Sequence, residues 1–275
     1  MSDIFNDLTA DNMENKTIIF SVGHRCTTAS LIQIMKQKFE SYPFDWIVSK
    51  LDVIAHAIDT NFEEYLRSEN YETINSETFN ICDDTKQHIC NENIVYNKYY
   101  ESNKGDNESS NKLGTYGMKL ALTHHDMHKE KDHAYFQRCV TRFNKILSSS
   151  RQKFYLHVAP IMGINDYEKD VGLMVHNFTA FTTYMQTKTQ NSFGIYFIVV
   201  KNEEKKCQID TLFESNNSII MTFYVNNNLI DGGGVYDGDF YSEQYKMLVT
   251  IEGIIQKQQE HFEFVSKSQN ISSSV

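Results

Sequence analysis

The sequence predicts an α/β fold in three layers, in which a mainly parallel β-sheet is flanked by helices. Short apolar runs typical of buried strands occur at 17–22, 154–158, 193–200 and 219–225. Segments between these runs carry apolar residues at every third or fourth position, the pattern of amphipathic helices. Strands that alternate with helices along a chain are typical of a parallel sheet.

The first half of the chain divides into a strand, two helices and a long polar segment. The strand at 17–22 precedes a predicted helix at about 27–39. An aromatic turn at 41–46, Ser-Tyr-Pro-Phe-Asp-Trp, separates that helix from a second amphipathic one. Residues 67–115 are rich in Asn, Glu and Lys and show no period, so we predict an insertion at one end of the sheet or a small lobe.

The second half repeats the alternation of helix and strand more clearly. Helices are predicted at 132–148, 170–187 and about 242–263, and a further strand at 209–213. The run at 193–200 is apolar throughout, which predicts a central strand. We therefore predict a flexible leader at 1–16 and a single α/β domain at 17–275 that contains the insertion.

Composition excludes several classes of partner. The 275 residues carry a formal net charge of −10, which is unfavourable for binding nucleic acid or an anionic membrane surface. We find no apolar run of 18 residues and no signal-peptide pattern, so the expected location is the cytoplasm. The five cysteines have irregular spacing and are expected to be free thiols. The oligomeric state stays open.

The segment Ser-Val-Gly-His-Arg-Cys at 21–26 is the most site-like feature of the sequence. Ligands of open α/β sheets bind beyond the carboxyl ends of the strands, and the start of a helix favours a thiolate. Cys26 is therefore a candidate nucleophile, although a small buried packing residue is the alternative. Arg25 adds positive charge beside the thiol, and His24 is either a substrate-binding residue or a solvated loop residue.

Three histidines and an aspartate lie within five residues, at His124, His125, Asp126 and His128. Either of the first two is a candidate general base, because imidazole titrates near neutral pH. Asp126 is a candidate to orient an imidazole, and Asp45 is an alternative. A metal site built on His124, Asp126 and His128 is conceivable, but no HExxH pattern occurs, so we predict neither metal nor cofactor. A merely polar loop also explains the cluster.

The order of these motifs resembles a known but uncharacterised family. The matching residues are Gly23, Cys26, Ser41, Pro43, Phe44, Asp45, Trp46, His125, Asp126, Tyr135, Arg138, Arg142 and Phe143. The family occurs in bacteria and large DNA viruses, and its members are labelled papain-like cysteine peptidases. The resemblance implies a Cys–His hydrolase, in a host cytoplasm if viral, with Cys26 as nucleophile and His125 or His124 as base. A cysteine that directly follows a strand departs from papain itself, where the nucleophile opens a long helix.

Two other classes of function stay open. A glycan-modifying or sugar-nucleotide-dependent enzyme would use Arg138 or Arg142 to bind phosphate, and the aromatic residues around Trp46 to stack on a sugar. A non-enzymatic interaction protein, such as a viral factor that binds a host component, would use residues 67–115 as its binding lobe. The substrate, peptide or glycan, is left open.

Overall fold

The computed structural model describes residues 17–24, 26–74, 94–101, 119–122, 124–161, 167–202, 204–205, 207–225 and 238–272. The predicted leader, the glycine triplet at 232–234 and much of the predicted insertion lie outside these residues. The chain divides into two compact units, Met1–Val235 and Tyr236–Val275. The single domain over 17–275 stays a prediction.

Helices and strands alternate along most of the first unit. In chain order it contains β1 (Ile18–Ser21), α1 (Cys26–Ile34), β2 (Ile47–Ser49), α2 (Leu51–Asp59), α3 (Glu63–Leu66), β3 (Tyr71–Ile74), β4 (Ile94–Asn97), β5 (Leu120–Leu122), α4 (Glu130–Ser148), β6 (Lys153–Ile161), α5 (Tyr167–Lys188), β7 (Ser192–Lys201), β8 (Ile209–Glu214) and β9 (Ser218–Val225). The described part of the second unit is one helix, α6 (Gly238–Ser272). None of the described helices is long and apolar enough to cross a membrane.

The larger sheet, sheet A, has the strand order β1-β6-β7-β9-β8. The first four of these strands are parallel to their neighbours, and β8 pairs antiparallel with β9 at one edge. The side chains of β9 are buried along its whole length, as expected for a strand inside a sheet. These features confirm the predicted α/β class with a mainly parallel sheet and flanking helices.

The helices cover sheet A through a continuous apolar core. Helices α4 and α5 supply Phe143, Phe178 and Phe181 to the cluster that contains Tyr155 of β6 and Tyr196 of β7. Helix α1 packs against β1 and β6. Ser21 at the end of β1 pairs with Leu156, so the residues that follow β1 lie beside the second half of β6.

A second sheet, sheet B, was not predicted from the sequence. Its strands β2-β5-β4-β3 are antiparallel throughout. Strands β3 and β4 fall inside the segment 67–115, so the described parts of the predicted insertion contribute two strands to sheet B. A bridge between His24 and Ser49 joins the segment after β1 to the edge strand β2.

The aromatic turn at 41–46 packs into the core instead of facing solvent. Phe44 is fully buried, and its ring lies 5.7 Å from that of Phe62, 5.9 Å from Tyr65 and 5.6 Å from Phe143. The carbonyl of Phe44 also accepts a hydrogen bond from the Ser21 hydroxyl at 3.4 Å. The turn therefore ties α4 to the end of β1.

Candidate functional site

Gly23 makes the turn that connects β1 to the cysteine. Its φ of +71° is a left-handed conformation that residues with a side chain rarely adopt. A Cβ atom at this position would lie 2.1 Å from the hydroxyl oxygen of Ser49, far inside contact distance. Backbone conformation and the close approach of β2 therefore both require glycine here.

Thr28 fastens the start of α1 to sheet A. Its buried hydroxyl donates to the carbonyl of Gly23 at 2.8 Å and accepts from the backbone N–H of Val158 at 3.3 Å. These two bonds connect the helix to the turn after β1 and to the interior of β6. They fix the position of Cys26, which lies two residues before Thr28.

Cys26 is the first residue of α1 and is partly exposed. It follows the carboxyl end of β1, where open α/β sheets place their ligands. The start of a helix also favours negative charge. Within the part of the chain that the structure describes, the thiol makes no hydrogen bond or ion pair.

A buried histidine that the sequence analysis did not select lies next to this segment. His157 on β6 is 2% exposed, and its Nδ1 lies 2.8 Å from the carbonyl oxygen of Val22. A carbonyl only accepts hydrogen bonds, so Nδ1 carries the proton and Nε2 is left unprotonated. Burial lowers the pKa of His157 to about 4, which keeps the ring neutral at physiological pH.

His24 is held between β6 and β2. Its ring centroid lies 6.0 Å from that of His157, with the ring planes at 81°, an edge-to-face arrangement. Its carbonyl oxygen accepts a hydrogen bond from the N–H of Ser49 at 3.3 Å. Both the backbone and the ring of His24 therefore have fixed neighbours, two residues before Cys26. A histidine inside an otherwise apolar strand, as at His157, was the signal that could have revealed this pair.

The histidine-rich turn is organised around Asp132 of α4. His125 Nδ1 lies 3.3 Å from Asp132 Oδ1, and the His125 ring stacks on Tyr135 with centroids 5.0 Å apart. The other carboxylate oxygen of Asp132 accepts the N–H of Asp126 at 2.9 Å. Burial opposes ionisation of Asp132, but the bonds from Asp126 and His125 outweigh it and lower its pKa. Asp132, which no motif had indicated, is thus the acid that orients His125.

The predicted pairing of Cys26 with His125 or His124 stays a prediction, because no hydrogen bond joins them among the described residues. Strand β5 begins at Leu120, which pairs with Ser49, the residue that bridges to His24. From there the strand runs away from His24 toward Leu122. The chain therefore leaves sheet B for the histidine-rich turn at the end remote from His24.

Asp45 has a structural setting in the aromatic turn. It is 1% exposed, forms an ion pair with Lys38 and accepts the N–H of Tyr42 at 2.7 Å. Burial raises its pKa, and the Lys38 ammonium partly offsets that cost. The same ammonium lies 5.8 Å from the ring of Trp46. Among the described residues, no hydrogen bond joins Asp45 to a histidine.

The remaining candidates are dispersed. Arg142 Nε lies 3.7 Å from a carboxylate oxygen of Glu40, Arg138 is exposed on α4, and Arg25 is outside the described residues. In the histidine-rich turn, Asp126 accepts the N–H of His128 at 3.0 Å. The described residues contain no group of three His, Cys, Asp or Glu side chains placed to hold a metal ion.

The sequence from β1 to β7 matches the model of one known family. The family model described as "Putative papain-like cysteine peptidase (DUF1796)" matches residues 17–203. The chain belongs to this family, as the sequence resemblance had predicted. No match was found among curated proteins or among solved structures.

Proposed function

We propose that the protein is a thiol-dependent hydrolase in which Cys26 is the nucleophile and His24 is the general base. The observation that carries the proposal is the fixed position of His24. Its backbone is bonded to β2 and its ring packs against His157 of β6. It also precedes the partly exposed Cys26 by two residues. The two side chains are not hydrogen-bonded to each other in the structure, but two residues of chain span at most about 7 Å, so their backbones are close enough for the side chains to meet. Family membership supports the same class of reaction.

Acylation needs one proton transfer to His24 and one from it, and in deacylation His24 takes a proton from water and returns it to the departing thiolate. His24 takes the proton of the Cys26 thiol, and the thiolate forms a bond to the carbonyl carbon of an amide or ester. Backbone N–H groups in the first turn of α1 lack partners within the helix and stabilise the oxyanion. The protonated His24 then gives its proton to the leaving amine or alcohol. Water hydrolyses the thioester and restores the free thiol.

His125 is the alternative base that the family motif suggests. Its pairing with Asp132 resembles the way acids orient catalytic histidines, but among the described residues its hydrogen bond and ring contacts are with α4. The mechanism also requires a reduced thiol, the usual state of cysteines in the cytoplasm. We therefore propose His24 as the base and the cytoplasm as the site of action.

Selective alkylation tests the proposal. Iodoacetamide at pH 7, followed by mass spectrometry, compares Cys26 with Cys207, a partly exposed thiol in the same molecule. An unperturbed thiol is only a few per cent ionised at this pH, so we expect Cys26 to react about tenfold faster. The His24→Ala variant should abolish this difference, and the matched variant His125→Ala should preserve it.

Hydrolysis gives the second measurement. Cleavage of a panel of fluorogenic peptide and ester substrates should disappear in Cys26→Ala. Equal alkylation of Cys26 and Cys207 would contradict the proposal, as would hydrolysis that survives in Cys26→Ala. Loss of selectivity in His125→Ala but not in His24→Ala would transfer the role of base to His125.

A further inference from the structure

His157 is costly to bury, and packing alone does not explain it. Its neighbours on β6, Leu156 and Val158, are apolar and buried. A polar ring in this position must be hydrogen-bonded to offset desolvation, and His157 meets the requirement with a single backbone carbonyl, that of Val22. An aliphatic side chain would fill a strand position without this requirement. The acceptor is the residue directly before Gly23, so the bond acts on the segment that leads to Cys26.

The ring of His157 is enclosed on the sides away from His24. Phe178 of α5 lies 5.2 Å away at 71°, and Tyr196 of β7 lies 6.3 Å away. The Tyr196 hydroxyl is in turn 2.9 Å from the hydroxyl of Thr182. Among the described residues, the rings of two titratable side chains, His24 and Tyr196, lie against His157, while α5 contributes the apolar ring of Phe178. A ring held by a hydrogen bond and by two aromatic neighbours is a rigid support.

We infer that His157 is a positioning residue that holds the imidazole of His24 in place beside Cys26. The inference rests on the proposed function. With 2% of its surface exposed, His157 does not reach a substrate and acts through His24. The edge-to-face contact limits the orientations open to the His24 ring, and the bond to Val22 fixes the backbone that carries it.

Two substitutions separate the ring of His157 from its hydrogen bond. His157→Asn keeps an amide nitrogen near the position of Nδ1, and so the donor to Val22, but removes the ring. His157→Phe keeps a ring but removes the donor. Phe154→Leu, a buried position on the same strand whose ring contacts Phe193, is the matched control for a general loss of stability.

The measurement is the rate of Cys26 alkylation by iodoacetamide from pH 5 to 9, made on full-length variants shown to be folded. The alkylation rate of the wild type should rise with pH in a step that the His24→Ala variant lacks. We expect His157→Asn to lower the rate at pH 7 by about tenfold and to flatten that step, and His157→Phe to lower it by about threefold. Phe154→Leu should keep the wild-type profile. If the Asn variant does not fold, the Phe variant alone gives the result.

The outcomes separate the two ideas. If His24→Ala leaves the wild-type profile unchanged, both the proposed base and this inference are overturned. If His24→Ala removes the step but the folded His157 variants retain it in full, only the role of His157 is overturned. If the step is flattened in Phe154→Leu as well, a general loss of stability explains the effect of the His157 variants, and the inference is overturned.

Discussion

At the scale of single residues, the turn before Cys26 depends on the lack of a side chain at Gly23. The left-handed φ of Gly23 disfavours any side chain there, and the hydroxyl of Ser49 occupies the space that a Cβ atom would need. A methyl group would have to push β2 away while the backbone remained strained. The placement of the thiol and the pairing of sheet B with the site therefore depend on one position.

The Gly23→Ala substitution should reduce the free energy of unfolding by about 2 kcal/mol or more. It should also slow the alkylation of Cys26, because the turn must shift to admit the methyl group. Gly172→Ala is the control, since a Cβ there meets nothing within 4 Å and lies inside helix α5. That change should leave stability unchanged or raise it by up to about 1 kcal/mol. Equal urea midpoints for the two variants would refute the account of Gly23.

Asp45 shows how far a motif can be interpreted without coordinates. The sequence marked it as a candidate orienter of a histidine because it belongs to a specific aromatic motif. The structure pairs it with Lys38, seven residues earlier, which lies outside the motif at 41–46. A buried carboxylate next to aromatic residues suits a catalytic role and a structural one equally well in sequence. Only the position of the partner distinguishes them.

At the scale of elements, α1 is connected to sheet A by the hydroxyl of Thr28. The hydroxyl satisfies a carbonyl at the end of β1 and an N–H on β6, both of them buried. Neither group has access to water in place of the hydroxyl. The helix that begins with Cys26 is thus oriented by one side chain in its own first turn.

Thr28→Val should remove both bonds with little change in volume. Leaving two buried polar groups unsatisfied should lower the free energy of unfolding by about 2 kcal/mol, and Cys26 should react more slowly as the start of α1 loosens. Thr27→Val, the exposed neighbouring position, should have almost no effect on either quantity. Urea denaturation and iodoacetamide kinetics on both variants make the comparison. A Thr28 variant as stable as the Thr27 variant would disprove the role of the hydroxyl.

The elements also differ in how well the sequence predicted them. Strands β7 and β9 are long apolar runs, and local composition is enough to identify them. Strands β3 and β4 have four residues each, and their mutual pairing joins residues that the segment 75–93 separates in sequence. Such short segments become strands through tertiary pairing, which the spacing of apolar residues in the sequence does not reveal. His157 was missed for a related reason, because its proximity to His24 arises from the parallel register of β1 and β6.

At the scale of the whole molecule, His157 makes stability depend on pH. A histidine in an unfolded chain titrates near pH 6.5, whereas the pKa of His157 in the folded protein is about 4. Between these values the unfolded chain binds a proton that the folded protein does not bind. Stability is therefore complete above about pH 6.5 and is lost as the pH falls toward 4.

We expect this effect to lower the free energy of unfolding by about 2 kcal/mol between pH 7.5 and pH 5. Urea denaturation of wild type and His157→Phe at both pH values isolates it, because the other titrating groups are common to the two proteins. The decrease should be smaller in the variant by about that amount. An identical decrease in both proteins would mean that His157 is not buried and neutral in solution.

The hydrogen bond between His157 and Val22 has a consequence for biosynthesis. It joins residues 135 positions apart, and in the described part of sheet A β1 pairs only with β6. Closing a loop of this length is entropically costly, so the strand before Cys26 docks late in folding. At ribosomal speeds, roughly ten seconds separate the synthesis of the thiol from that of the strand that receives it. The nascent chain thus carries its candidate nucleophile in an unassembled form until β6 has left the ribosome.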